Sequence, residues 1–185
     1  MEEERRIRRE FFILLAIYLL PAIYTSAGSV NPELFEDPTA HLGMLIQNVP
    51  RIVLLLYLME IDGGSWARRF GLHWRPGRLP FEAIGIALLL LLVSTVTNLL
   101  SRFAGVPGEA PFDFASAGAL AYFLSGFSLL SVGYMEELFF RAYAITRLKQ
   151  FGLSTASAIL LSALLFSLGH LYQGVQGVLF ALLAG

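Results

Sequence analysis

The chain has no cysteine. Disulfides, thiolate nucleophiles and cysteine-held metal sites are excluded together. It also has little charge: acidic and basic residues are 15% of its 185 residues, against about 25% in an average soluble domain. The net charge is -1, so no global field draws nucleic acid, and no nucleic-acid partner is expected. Histidine occurs three times, and no HExxH stands anywhere in the sequence, so the common zinc-protease signature is missing. There is no internal repeat, no low-complexity tract and no long polar stretch marking a soluble domain.

What the chain does have is apolar side chain. Hydrophobic residues are 56% of the total, above the roughly 45–50% of soluble domains. One soluble core of this size could not hide that much, whereas lipid acts as an apolar solvent for it. The expected fold is all-α: a single polytopic transmembrane helical bundle over 1–185. Runs near the spanning length of about 20 residues mark the helices. They fall at 11–27, at 44–59 (broken by Pro50 and Arg51), at 81–100, at 119–149 and at 154–172. A sixth begins near Val175 and the sequence stops at Gly185, which gives about five full spans and a truncated sixth. The first run reads as a retained helix rather than a cleaved signal, because its flank MEEERRIRRE is mixed in charge.

Basic residues orient the bundle. Arg5, Arg6, Arg8 and Arg9 precede the first span, and the loop 28–43 carries Glu33, Glu36 and Asp37 but no base. Arg68, Arg69, Arg75 and Arg78 follow the second span, Arg102 alone follows the third, and Arg147 and Lys149 follow the fourth. This alternation places the amino terminus in the cytoplasm of a multi-pass protein. Trp66 and Trp74 read as interfacial anchors. His41 and His73 fall in loops and are expected to be interfacial or exposed. The loops 28–43 and 105–118 read as turns outside the membrane.

Four charged residues lie well inside apolar runs: Arg51, Glu136, Glu137 and Arg141. Each costs about 2.5–3.5 kcal/mol near the bilayer centre, so such residues usually face a bundle interior or an aqueous cavity. Arg51 has a structural explanation, since Pro50 marks a helix restart from which it can snorkel. The other three form YMEELFFRAY. Glu137 and Arg141 are four apart with the acid first, the favourable order for a helical ion pair. Glu136 points about 100° away around the helix. Arg141 therefore compensates one glutamate and leaves the second for chemistry. A carboxylate in low dielectric can take up a proton near neutral pH, as a general base must.

A partner stands in FSLGHLYQG. The fourth and fifth helices meet at a short turn around Gly152, a natural C-cap, and short turns join antiparallel neighbours. Glu136, Glu137 and His170 lie 16, 15 and 18 positions from Gly152. In a regular hairpin that places them at one depth, within about 5 Å along the axis. The three side chains are expected to converge.

With both motifs in hand, the sequence resembles the CPBP intramembrane proteases, also called Abi proteins, which include the type II CAAX prenyl endopeptidases. The family's EExxxR is Glu136-Glu137-Leu138-Phe139-Phe140-Arg141, and its FxxxH is Phe166-Ser167-Leu168-Gly169-His170. The resemblance covers 126–185 with the motif-bearing core over 119–185. It implies peptide-bond hydrolysis within the membrane. Glu136 would activate water, Glu137 would assist or be held by Arg141, and His170 would orient the water or stabilise the oxyanion. Phe140 and Phe166, inside the motifs, are the candidate substrate-binding residues. The family's further helix, with a His and an Asn or Asp four residues on, would follow Gly185, so the chain is expected to be truncated. Members have been described as metal-dependent and as metal-free. No metal is expected here; if zinc were held, Glu136 and His170 would be its ligands. The implied partners are the bilayer and a peptide or protein substrate, prenylated or of bacteriocin type.

Two other classes fit the same charged residues. One is a membrane immunity or peptide-binding protein that does not cleave. The other is an ion or proton transporter, which needs a polar path; the third run offers Ser94, Thr95, Thr97 and Asn98 for it.

Overall fold

The computed structural model describes residues 2–25, 37–72, 79–105 and 118–185. His73, Trp74, Arg75, Arg78 and most of the loops 28–43 and 105–118 lie outside the described residues, so the expectations placed on them stand as read from sequence. Among the described residues every regular element is helical. The chain divides into two compact units, Met1–Ser29 with His73–Glu109 and Arg147–Gly185, and Val30–Leu72 with Ala110–Thr146.

The second of these holds α2 (Pro38–Ile61), the short α3 (Trp66–Arg69), α5 (Ala119–Glu136) and a π-helical segment (Glu137–Ala144). Helix α2 starts as sequence rules prescribe. Asp37 is the N-cap, its carboxylate accepts from the Thr39 N–H at 2.8 Å, and Pro38 takes the first turn, where a missing N–H costs nothing. The helix then runs unbroken through Pro50, contrary to the expected break. Proline removes one ladder bond, and a long apolar helix packed on a neighbour absorbs that loss.

Helix α2 packs on α5. Their contact is polar at its centre. Ser125, Ser128 and Ser131 recur every third residue of α5, and each hydroxyl donates to the carbonyl three residues earlier. His41 faces them, fully buried, with Nδ1 2.9 Å from Ser128 Oγ, and Asn48 donates to Ser131 at 3.5 Å. The loop reading of His41 is therefore wrong: Asp37-Pro38 begins a helix one turn ahead of it.

The other unit holds α1 (Glu2–Thr25), α4 (Leu79–Phe103), α6 (Ile145–Gln150) from Arg147 onward, α7 (Thr155–Leu168), a 3-10 turn (Leu171–Gln173) and α8 (Gly174–Ala184). Phe11, Leu14 and Tyr18 form the buried stripe of α1. Arg147 is completely buried, and its guanidinium donates to Glu10 at 3.0 Å and to Gln150 at 3.0 Å. Phe151 stacks edge-on against Phe11 at 5.5 Å and lies under the Arg8 guanidinium. The amino-terminal part of α1 and the end of α6 are thus fixed at one end of this unit.

Gly152 closes α6 at φ +94°, with Leu153 N–H bonded to Leu148 and Gly152 N–H to Lys149, the Schellman pattern. Ser154 then caps α7 by accepting from Ser157 N–H at 3.1 Å. Helix α7 packs on α8, and α8 on α4.

Among the described residues, Pro38–Ile61 alone is long and apolar enough to cross a membrane unaided. A second crossing exists if Thr155–Leu168 and Leu171–Ala184, bent by 57°, make one broken span. The fifth and sixth helices of the sequence reading are in fact this bent pair, because the ladder stops at Leu168 and restarts after Gly174.

Candidate active site

The EExxxR motif straddles a change of helix type. Glu136 closes α5 and Glu137 opens the π-helical segment, so the expected uniform α-helix over 119–149 is widened where the charges sit. Short π segments inside α-helices occur often at functional sites. Six of its eight residues are buried: Leu138, Phe139, Phe140, Ala142, Tyr143 and Ala144. Phe139 meets Phe140 edge-on at 4.9 Å and stacks on Tyr143 at 6.0 Å, and Tyr143 stacks on Phe70 at 6.1 Å. This aromatic wedge anchors the segment from behind and leaves Glu137 and Arg141 as its less buried face.

Arg141 Nε lies 3.6 Å from Glu137 Oε1, the ion pair the spacing predicts. It is an ion pair rather than a good hydrogen bond at that length. Glu137 is 62% exposed and Arg141 24%, so screening weakens the attraction. A cavity of about 300 Å³ lies beside the pair, walled by Phe70, Gly71 and Leu72 after α3 and by Tyr134, Glu137 and Arg141. Glu136 is half-buried and is not one of the residues walling this cavity.

His170 belongs to the other unit. It stands in the turn after α7, not within a helix. Its Nδ1 lies 2.9 Å from the Phe166 carbonyl oxygen. A carbonyl only accepts, so Nδ1 carries the proton, and in the neutral ring Nε2 presents a lone pair. Phe166 packs edge-on against the imidazole at 4.4 Å, and Tyr172 stacks at 6.1 Å. The FxxxH spacing thus has a local reason: the Phe fixes both the plane and the tautomer of the His. Phe140 and Phe166 are themselves buried, at 5% and 8% exposure.

Among the described residues no three His, Asp or Glu side chains come together as a metal site, and the residues present do not make a complete zinc ligand set. His41 with Ser128 was missed as a buried pair; the signal was the serine repeat of α5 opposite a capped helix start.

Residues 113–185 match the model of the family described as type II CAAX prenyl endopeptidase Rce1-like. That segment contains Glu136, Glu137, Arg141, Phe166 and His170, and the resemblance carried by the two motifs is shown over it. No curated protein matches the chain, and no solved structure does.

Proposed function

We propose that the protein is an intramembrane endopeptidase of CAAX-protease type. The observation that carries this reading is the family match over 113–185, which includes both the acid pair with its arginine and the Phe-His motif. Glu136 takes a proton from water, and the resulting hydroxide attacks the scissile carbonyl carbon. The tetrahedral intermediate collapses, the C–N bond breaks, and the proton passes from Glu136 to the leaving amine. Arg141 holds Glu137 in place beside its cavity. His170, with Nδ1 committed to Phe166, accepts a hydrogen from the attacking water at Nε2. Phe140 and Phe166 are the proposed substrate contacts.

The proposed setting is a multi-pass bundle of about five spans with a cytoplasmic amino terminus. The proposed substrate is a peptide or protein, prenylated as the family description indicates, and the proposed mechanism uses no metal. The test is cleavage of a farnesylated CAAX pentapeptide by the protein in lipid nanodiscs. Glu136→Gln should lower turnover by about 10²–10⁴-fold, the usual worth of a general base. Chelators should leave it unchanged. Undiminished turnover in Glu136→Gln rejects the mechanism. Tight binding with no cleavage by the unmodified protein selects the non-catalytic binder.

A further inference from the structure

Helix α4 is leucine-rich, and the polar cluster of Ser94, Thr95, Thr97 and Asn98 within it has a counterpart. A cavity of about 170 Å³ opens between α4 and α8, walled by Ser94, Thr97, Gln173, Gln176, Gly177 and Phe180. It far exceeds the 10–15 Å³ or so that one structural water occupies. No formal charge lines it.

The hydrogen bonds around it are one-sided. Thr97 donates back to the Val93 carbonyl at 3.0 Å. Gln173 commits an amide N–H to the Tyr172 hydroxyl at 2.8 Å, and Gln176 commits one to the Asn98 side-chain carbonyl. Among the described residues, the side-chain carbonyls of Gln173 and Gln176 and the hydroxyl of Ser94 have no such partner. Two acceptors and one hydroxyl therefore border a neutral recess.

Gly177 is part of the construction. A Cβ there would stand 2.1 Å from Gln173 Cβ and 2.7 Å from its side-chain oxygen, so only glycine lets the Gln173 side chain lie where it does.

A neutral occupant with N–H groups for two carbonyls and a C=O for one hydroxyl is a peptide main chain. A peptide stretched for cleavage in lipid has lost its helical bonds, and each one left unmade costs several kcal/mol. We propose that the Ser94–Gln173–Gln176 recess is a main-chain recognition subsite that hydrogen-bonds the amides of an extended substrate peptide. This rests on the endopeptidase reading, and it makes the enzyme read backbone rather than side chain at this point.

The experiment measures Kd by fluorescence polarisation for a fluorescein-labelled farnesylated CAAX pentapeptide in nanodiscs, with Glu136→Gln as the parent so that turnover does not intervene. Ser94→Ala, Gln176→Leu and Gly177→Ala should each weaken binding by about five- to tenfold, the size of one lost hydrogen bond. Methylating the peptide's main-chain nitrogens one at a time should reproduce that loss at one position, with no further loss in Gln176→Leu. Asn98→Leu removes the bond to Gln176 but keeps every lining side chain, and should leave Kd unchanged. Unaltered affinity in Ser94→Ala and Gln176→Leu overturns the proposal. So does an Asn98→Leu loss equal to that of Gln176→Leu, which would make the cluster a helix-packing device. Cleavage by the unmodified protein is scored separately: the predicted binding losses without any cleavage support the subsite and reject the endopeptidase reading.

Discussion

His41 Nδ1 lies 2.9 Å from Ser128 Oγ, and both side chains are fully buried. The Ser128 hydroxyl already donates to the Ser125 carbonyl, so it accepts from His41, and the imidazole proton is on Nδ1. This bond ties the first turn of α2 to the middle of α5. His41→Leu and Ser128→Ala should each destabilise the protein by about 1–2 kcal/mol, the range for interhelical bonds between buried groups. The double variant should lose less than the two single losses added. Thermal unfolding in detergent checks both statements, and additive losses would show that the pair is uncoupled.

Arg147 and Glu10 make a second long-range tie, with the guanidinium wholly buried. Removing one member strands the other charge, so Glu10→Gln or Arg147→Met should cost about 3–5 kcal/mol. Replacing both with apolar residues of similar volume should recover most of that. The readout is the denaturation midpoint of the three variants against the unmodified protein.

The Phe166 carbonyl fixes the tautomer of His170, so the two ring nitrogens have unequal tasks. Glutamine places its terminal group near the position of Nε2, and asparagine near that of Nδ1. In the CAAX-peptide assay His170→Gln should keep more activity than His170→Asn, and His170→Ala should keep least. An Asn variant that outperforms Gln would assign the working role to Nδ1.

Asp37 gives a pH dependence at the start of α2. The Thr39 hydroxyl and then the Thr39 N–H bond its carboxylate and hold its pKa below the usual aspartate range. Because the folded value is the lower one, the stabilisation is complete above the unfolded aspartate pKa and is lost as pH falls through the folded value. Carbon-detected NMR should show Asp37 titrating below ordinary aspartates. Thr39→Val removes the larger cause and should raise its pKa; an unmoved titration would refute the Thr39 hydroxyl bond as that cause.

Much of this was legible because capping chemistry is local. Gly152 announces the end of α6, and Ser154 the start of α7. The Glu137–Arg141 pair follows from four-residue spacing. What stayed hidden depends on packing. Pro50 reads as a break, yet a helix held along its length tolerates one missing bond. Asp37-Pro38 reads as loop, though the same two residues are a cap and a first turn, and that choice decides whether His41 is outside or inside. The π segment at Glu137–Ala144 has no compositional mark; it coincides with the buried cluster in which Phe139 meets Phe140 and Tyr143, and Tyr143 stacks on Phe70. His170 reads as helical because its neighbours are apolar; Gly169, the C-cap of α7, is the sign that the ladder stops before it. Equal depth across Gly152 holds for two regular arms, and each arm departs from regularity near its motif, one in a π-helical segment and the other in the turn after α7.

The widened turn after Glu136 carries an insertion's signature. Excising one residue between Glu137 and Ala144 would restore ordinary α-helical bonding there, and by simple propensity the shortened protein should be no harder to fold locally. Yet it would rotate Glu136 by about 100° against all that follows. The π-helical segment thus sets the angle at which the acid pair stands relative to the buried Phe139, Phe140 and Tyr143 that follow it, a register that neither helix length nor turn chemistry supplies.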